Sequence, residues 1–200
     1  MLQSKTVAHV ARVQAPPLSA QRLATLLCFF SLGFSTAAWA PLIPFAQQRL
    51  SLNHADFGSL LLCAGIGSML AMPLTGMLIQ KMGGRLIIAV TLAVFIVVLP
   101  LLAMLPTTWA LGISLFAFGA AAGSLGVAIN LQAVMVEKQY AKNMMSSFHG
   151  MCSLGGLLGV MSMTVLLALG LSPLLAALII AACILMVMLL AVPKCLAQPV

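Results

Sequence analysis

The sequence predicts an all-α, polytopic membrane protein of about six transmembrane helices with both termini cytoplasmic. Three observations predict it. Hydrophobic residues make up 63% of the 200-residue chain and charged residues 6%, and mean hydropathy is +1.20. A soluble domain carries about 25% charged residues, so this chain lacks the polar surface to cover itself in water. The apolar residues are gathered into long runs, and the positive charge falls on alternate gaps between them.

A run of roughly 18 apolar residues crosses a hydrocarbon core about 30 Å thick as a helix. Six such runs are read, at about residues 23–45, 57–79, 86–105, 111–134, 148–169 and 174–192. Lipid offers no partner to a free backbone N–H or C=O, so each is helical. The strands of a membrane barrel would alternate over about ten residues, and runs such as 86–105 and 174–192 do not alternate.

The gaps set orientation. Lys5, Arg12 and Arg22 precede the first run and Arg49 follows it. Lys81 and Arg85 follow the second run, Lys138 and Lys142 the fourth, and Lys194 the sixth. Arg49 alone falls on the other set of gaps. Cytoplasmic loops hold the excess of Lys and Arg, which places both termini in the cytoplasm and requires an even number of spans. Residues 1–21 are then a cytoplasmic N-terminal tail. Residues 22–193 are a six-helix transmembrane bundle, and 194–200 a cytoplasmic C-terminal tail or the start of a linker. Trp109 and Tyr140 suit interfacial positions.

Several function classes lose support. The net charge of +7 is accounted for by short juxtamembrane gaps, so nucleic acid is not an expected partner. Residues 1–21 are basic, acid-free and contain Pro16-Pro17, a faint likeness to a transit peptide. Ala38-Trp39-Ala40 mimics a signal-peptidase site, but Pro41 is a poor residue just past a cleavage point, so the first helix is kept. Cys28, Cys63, Cys152, Cys183 and Cys195 form no C-x-x-C pair and are read as small buried hydrophobes. No metal, cofactor or disulfide is expected. H-E-x-x-H, G-x-S-x-G and G-x-x-x-x-G-K patterns are missing, and nothing argues for an enzyme.

The informative polar residues cluster on the fourth and fifth helices. Gly119, Gly123, Gly126 and Asn130 follow spacings of four, three and four, so they share one side. Gly119 with Gly123, and Gly155 with Gly159, are G-x-x-x-G pairs that let helix backbones approach closely in lipid. Gly65, Gly67 and Ala71 make a similar patch on the second helix. Asn130, an amide within an apolar span, is the leading candidate to line a substrate cavity, with an interhelical hydrogen bond as its alternative. Gln132 is a second cavity candidate. Glu137 and His149 are candidates for coupling, with a solvated interfacial charge and an interfacial hydrogen bond as their alternatives. Asn53 with Asp56 reads as a helix N-cap beside His54. No Lys, Arg, Asp or Glu sits deep in any run, which favours a small neutral solute.

Between the second and third runs the chain reads Gly76-Met77-Leu78-Ile79-Gln80-Lys81-Met82-Gly83-Gly84-Arg85. This resembles the loop signature of the major facilitator superfamily, matching at Gly76, Lys81, Gly83 and Arg85. Gln80 stands where that family has Asp. Trp39–Pro44, Gly123–Asn130, and Ser147–Gly150 with Ser153–Gly156 look like uncharacterised bacterial inner-membrane members related to the fucose permease branch, many of which carry an acid where this chain has Gly126. The resemblance covers about residues 20–195. It implies a secondary transporter of two six-helix halves, of which this chain is the N-terminal one, in a bacterial inner membrane. Gly76, Gln80, Lys81, Gly83 and Arg85 would form a cytoplasmic gate loop. It also implies a second half, in the same chain, in another subunit or in a copy of itself. The other reading is a truncated remnant that transports nothing.

Overall fold

The computed structural model describes residues 16–197. Lys5 and Arg12, with most of the expected N-terminal tail, lie outside the described residues. Among the described residues all regular structure is helical, and six helical segments are long and apolar enough to cross a membrane.

The first apolar run is not one helix. Helix α1 (Leu18–Ala38) passes through a 3-10 turn at Ala40–Leu42 into α2 (Ile43–Leu50). Pro41 and Pro44 each sit at the start of their element, where a missing N–H costs nothing but an α-helix cannot run through. The other spans are α3 (His54–Met82), α4 (Gly84–Met104), α5 (Thr108–Tyr140), α6 (Met145–Ala168) and α7 (Pro173–Ala191), followed by a 3-10 turn at Val192–Lys194. Most outrun their apolar stretches. At 1.5 Å per residue α3 and α5 are about 43 and 50 Å long, against a core of about 30 Å. Their polar ends therefore stand in the interface, where hydropathy gives no signal.

The boundaries have local causes. Asn53 Oδ1 accepts from the Asp56 amide at 2.8 Å and its Nδ2 donates to the Asp56 carboxylate at 2.7 Å, the expected cap of α3. Thr107 and Ser172 accept from the third residue beyond them at the starts of α5 and α7. Gly83 alone separates α3 from α4, at φ 82°, a conformation only glycine adopts without strain.

Neighbour relations give two layers. In the front layer the helices run α3, α5, α1, α6 side by side; α4 packs behind α5, and α7 lies beside α4 and behind α1. The front pairs rest on glycine. A Cβ on Gly119 would overlap the Ala64 carbonyl, and one on Gly123 would press on Ser68. One on Gly67 would meet the Phe116 carbonyl in return. In the other pair, Gly155 and Gly159 lie on the carbonyls of Phe30 and Phe34, and Gly33 on that of Cys152. Lipid is as apolar as leucine, so such van der Waals contact supplies the association. Behind, Phe95 of α4 meets Phe118 of α5 edge-on at 5.1 Å between centroids.

Both expected tails are partly built into the bundle. Helix α1 begins at Leu18, and Gln21 is buried. At the other end Cys195 is fully buried, because its carbonyl and the Leu196 amide find partners on α4 and α5.

Candidate functional site

Helices α5 and α6 both flank α1 in the front layer yet make little contact with each other. Gln132 of α5 meets Thr25 of α1, and Gly126 faces Leu32. Asn130 therefore stands at the level of residues 26–29 of α1. On the other flank, the exposed His149 ring lies edge-on to Phe29 at 5.2 Å, and Phe148 stacks on Phe29 at 5.6 Å. Asn130 and His149 thus occupy similar depths on opposite sides of α1.

Asn130 is half-buried. Its Nδ2 donates to the Gly126 carbonyl at 2.8 Å, which holds the amide against its own helix. Among the described residues its Oδ1 has no hydrogen-bond partner. Gly126 leaves ordinary van der Waals space, Leu32 being 4.0 Å from an added Cβ. It is not one of the tight glycine contacts, unlike Gly119 and Gly123.

Gln132 is placed differently from a cavity-lining residue. It is 1% exposed, with Nε2 3.4 Å from Thr25 Oγ1 and Oε1 accepting from the Leu196 amide at 3.1 Å. The amide is consumed in joining α1, α5 and the segment after α7. The spacing that puts Asn130 on the Gly126 side turns Gln132 about 200° away at 100° per residue.

Glu137 is likewise engaged. Its Oε1 accepts from the amides of Met144 and, at 2.7 Å, Met145, the first free donors of α6. Met144 supplies no side-chain cap, so a carboxylate from the preceding helix serves instead, with favourable sign toward the helix dipole. Ala141 makes the turn at φ 50°. Sequence spacing did not reveal this, because the cap lies seven residues before its acceptors rather than at the helix start.

In the loop signature, Gln80 and Lys81 are exposed, and a Cβ on Gly76 would meet nothing within 4 Å. Arg85 turns inward: Nε and Nη2 donate to the Cys195 carbonyl at 2.9 and 2.5 Å. Arg49, the exception to the charge bias, does the same at the opposite end. It donates to the carbonyls of Leu102, Ala103 and Leu105 at 2.9, 2.5 and 3.0 Å, closing the C-terminus of α4. Helix C-termini leave carbonyls unpaired, and a guanidinium forks onto several at once. Arg49's odd position in the charge count was the available signal.

Two hollows of about 460 Å³ are lined almost wholly by apolar groups. One lies between α3 and α5 around Cys63, Trp109 and Phe116; the other lies among α1, α6 and α7 around Phe34, Leu158 and Cys183. Neither includes Asn130, Gln132, Glu137 or His149. Among the described residues no cluster of three or more His, Cys, Asp or Glu is placed to hold a metal.

Comparison with known proteins agrees with this architecture. The family model described as Major Facilitator Superfamily matches residues 25–198. An uncharacterised MFS-type transporter of Yersinia pestis is 50% identical over 185 residues, covering 92% of this chain and 47% of that protein. An uncharacterised transporter of Sinorhizobium fredii is 37% identical over 131 residues, 66% of this chain and 35% of that one. The membrane protein MosC of Rhizobium meliloti is 34% identical over 138 residues, 69% of this chain and 34% of MosC. The chain thus spans about half the length, or less, of the curated relatives it matches. With six apolar helices, the signature glycines and a family match over most of its length, it is a multi-pass membrane protein that belongs to the major facilitator superfamily.

Proposed function

We propose that this chain is the N-terminal six-helix half of a secondary transporter for a small neutral polar solute. In this reading the front layer faces a second six-helix unit across the solute path. The observation that carries it is open glycine on the two most thinly buried helices. In the most apolar stretches of α3 and α6 only 11% and 17% of residues are buried, against 50% in the first span, 56% in α4 and 50% in α5. The thinly buried helices are the two ends of one layer, and glycines with nothing within 4 Å of an added Cβ lie on both: Gly58, Gly65 and Gly76 on α3, and Gly150 on α6. Glycine on a lipid-facing surface gains nothing, whereas against a partner helix it permits close approach. Solute sites in such two-unit transporters lie near the midplane between units.

The membrane is the bacterial inner membrane, with Lys81, Arg85, Lys138, Lys142 and Lys194 on the cytoplasmic side. Asn130 offers its Oδ1 to the solute. His149 is the coupling candidate left with an exposed ring, the Glu137 carboxylate being bound to the start of α6. Gln80 hydrogen-bonds across the gate without an ion pair. The second unit is further chain, a separate subunit or a second copy, and the size of the native product in its own membranes distinguishes them.

Asn130→Leu tests the solute path. A panel of neutral solutes is screened by thermal shift on the purified native product. The variant is expected to insert and melt normally while losing the shift given by a hit and the uptake of that solute. Unchanged uptake removes Asn130 from the path.

A further inference from the structure

The segment following α7 does not leave the bundle freely. Cys195 is fully buried, and so is Cys28 of α1. Their sulfurs are 3.7 Å apart although 167 residues separate them in the chain. Around this contact the backbone is held twice more. Arg85 of α4 donates twice to the Cys195 carbonyl, and the Leu196 amide donates to Gln132 of α5. Three helices converge on two residues of irregular chain. A buried cysteine alone is a small hydrophobe, but two thiols 3.7 Å apart on separate elements are a small shift from bonding distance.

We propose that Cys28 and Cys195 form a redox-sensitive latch fastening the segment after α7 to α1. In the reduced state the segment is held without a covalent bond, by Arg85, Gln132 and the thiol contact with Cys28, and opens by local unfolding. Opening exposes Cys195 to a small-molecule disulfide. The Cys195 thiolate attacks one of its sulfurs, forming a mixed disulfide and expelling one thiolate, which takes up a proton. When the segment re-docks, Cys28 loses its proton and attacks Cys195 Sγ, expelling the second thiolate. Two S–H bonds are broken and one S–S bond is formed, and the external disulfide gains two electrons and two protons as two thiols. The thiol hydrogen bond from Cys28 and the Arg85 cation hold the Cys195 thiol below its ordinary range, against the opposing effect of burial, which favours it as the attacking partner. On the cytoplasmic side thiols are kept reduced, so the latch is open-capable at rest and closes under disulfide stress.

The test treats the native product in its own membranes with oxidised glutathione, then denatures it and labels remaining thiols with N-ethylmaleimide. Peptide mass spectrometry is expected to find a Cys28–Cys195 link, two fewer labels, and reversal by a dithiol reductant. Trypsin cleavage after Lys194, scored after reduction, should slow roughly tenfold in the linked protein, because opening is suppressed. In Cys28→Ser and Cys28→Ala, Cys195 should instead retain a glutathione adduct. Separate labels on both cysteines, a link no more frequent than those to Cys63, Cys152 or Cys183, or unchanged cleavage after Lys194 would each overturn the latch. All but the variant arm use wild-type protein, so misfolding of a variant does not decide the result.

Discussion

Arg49 and Glu137 carry out one task from opposite ends of the fold: each satisfies the open terminus of a helix other than its own. Arg49 takes three carbonyls at the end of α4, and Glu137 takes two amides at the start of α6. A hydrogen bond to a charged group contributes about 1.5–3 kcal/mol. Arg49→Ala should therefore lower stability in detergent by about 2–3 kcal/mol, with Arg49→Lys recovering only part, since a lysine cannot fork onto three carbonyls. Urea or thermal titration of the purified chain measures both. Glu137→Ala should destabilise by about 1–3 kcal/mol through the lost cap. That result separates the two readings of Glu137. A cap loses stability on substitution, whereas a coupling carboxylate changes the proton dependence of uptake at unaltered stability.

At the scale of the element, glycine position predicts which substitutions each helix pair tolerates. Gly119→Ala drives a Cβ into the Ala64 backbone, and Gly159→Ala into that of Phe34. Backbone cannot yield as a flexible side chain does, so each should cost about 1–3 kcal/mol and loosen α3 from α5 or α6 from α1. Gly126→Ala meets only Leu32 at 4.0 Å and should be near neutral. Melting temperatures of the three variants check the order, and equal values would sink the packing argument. The elements were legible because apolar length and the charge of the gaps are strong signals in lipid; close backbone contacts fall at Gly119, Gly123, Gly155 and Gly159, and equally at Gly33 and Gly67. Less was legible at the site. Gln132 and Asn130 look alike as amides two residues apart, yet helical rotation turns one into the packed interior and leaves the other half-open. The Cys28–Cys195 approach was invisible to spacing because it is made by tertiary packing alone.

Over the whole molecule, the two layers differ in what should cover them. In lipid an exposed leucine is not anomalous, so exposure alone does not distinguish a partner-facing helix from a lipid-facing one. Leu62 and Met69 on α3 and Leu157 and Met161 on α6 are between 51% and 68% exposed; so are Val97 on α4 and Met186 on α7. The proposed pairing makes these two groups unequal in the native membrane. A photoreactive side chain at each front-layer position should crosslink predominantly to protein, within a second six-helix unit. At Val97 or Met186 it should label phospholipid. The ratio of protein to lipid adducts, read by mass spectrometry, is the measurement. Equal ratios across the two layers would mean that lipid covers the front layer too. The chain would then be a six-helix unit without a second wall, and Asn130 would have no enclosed path to line.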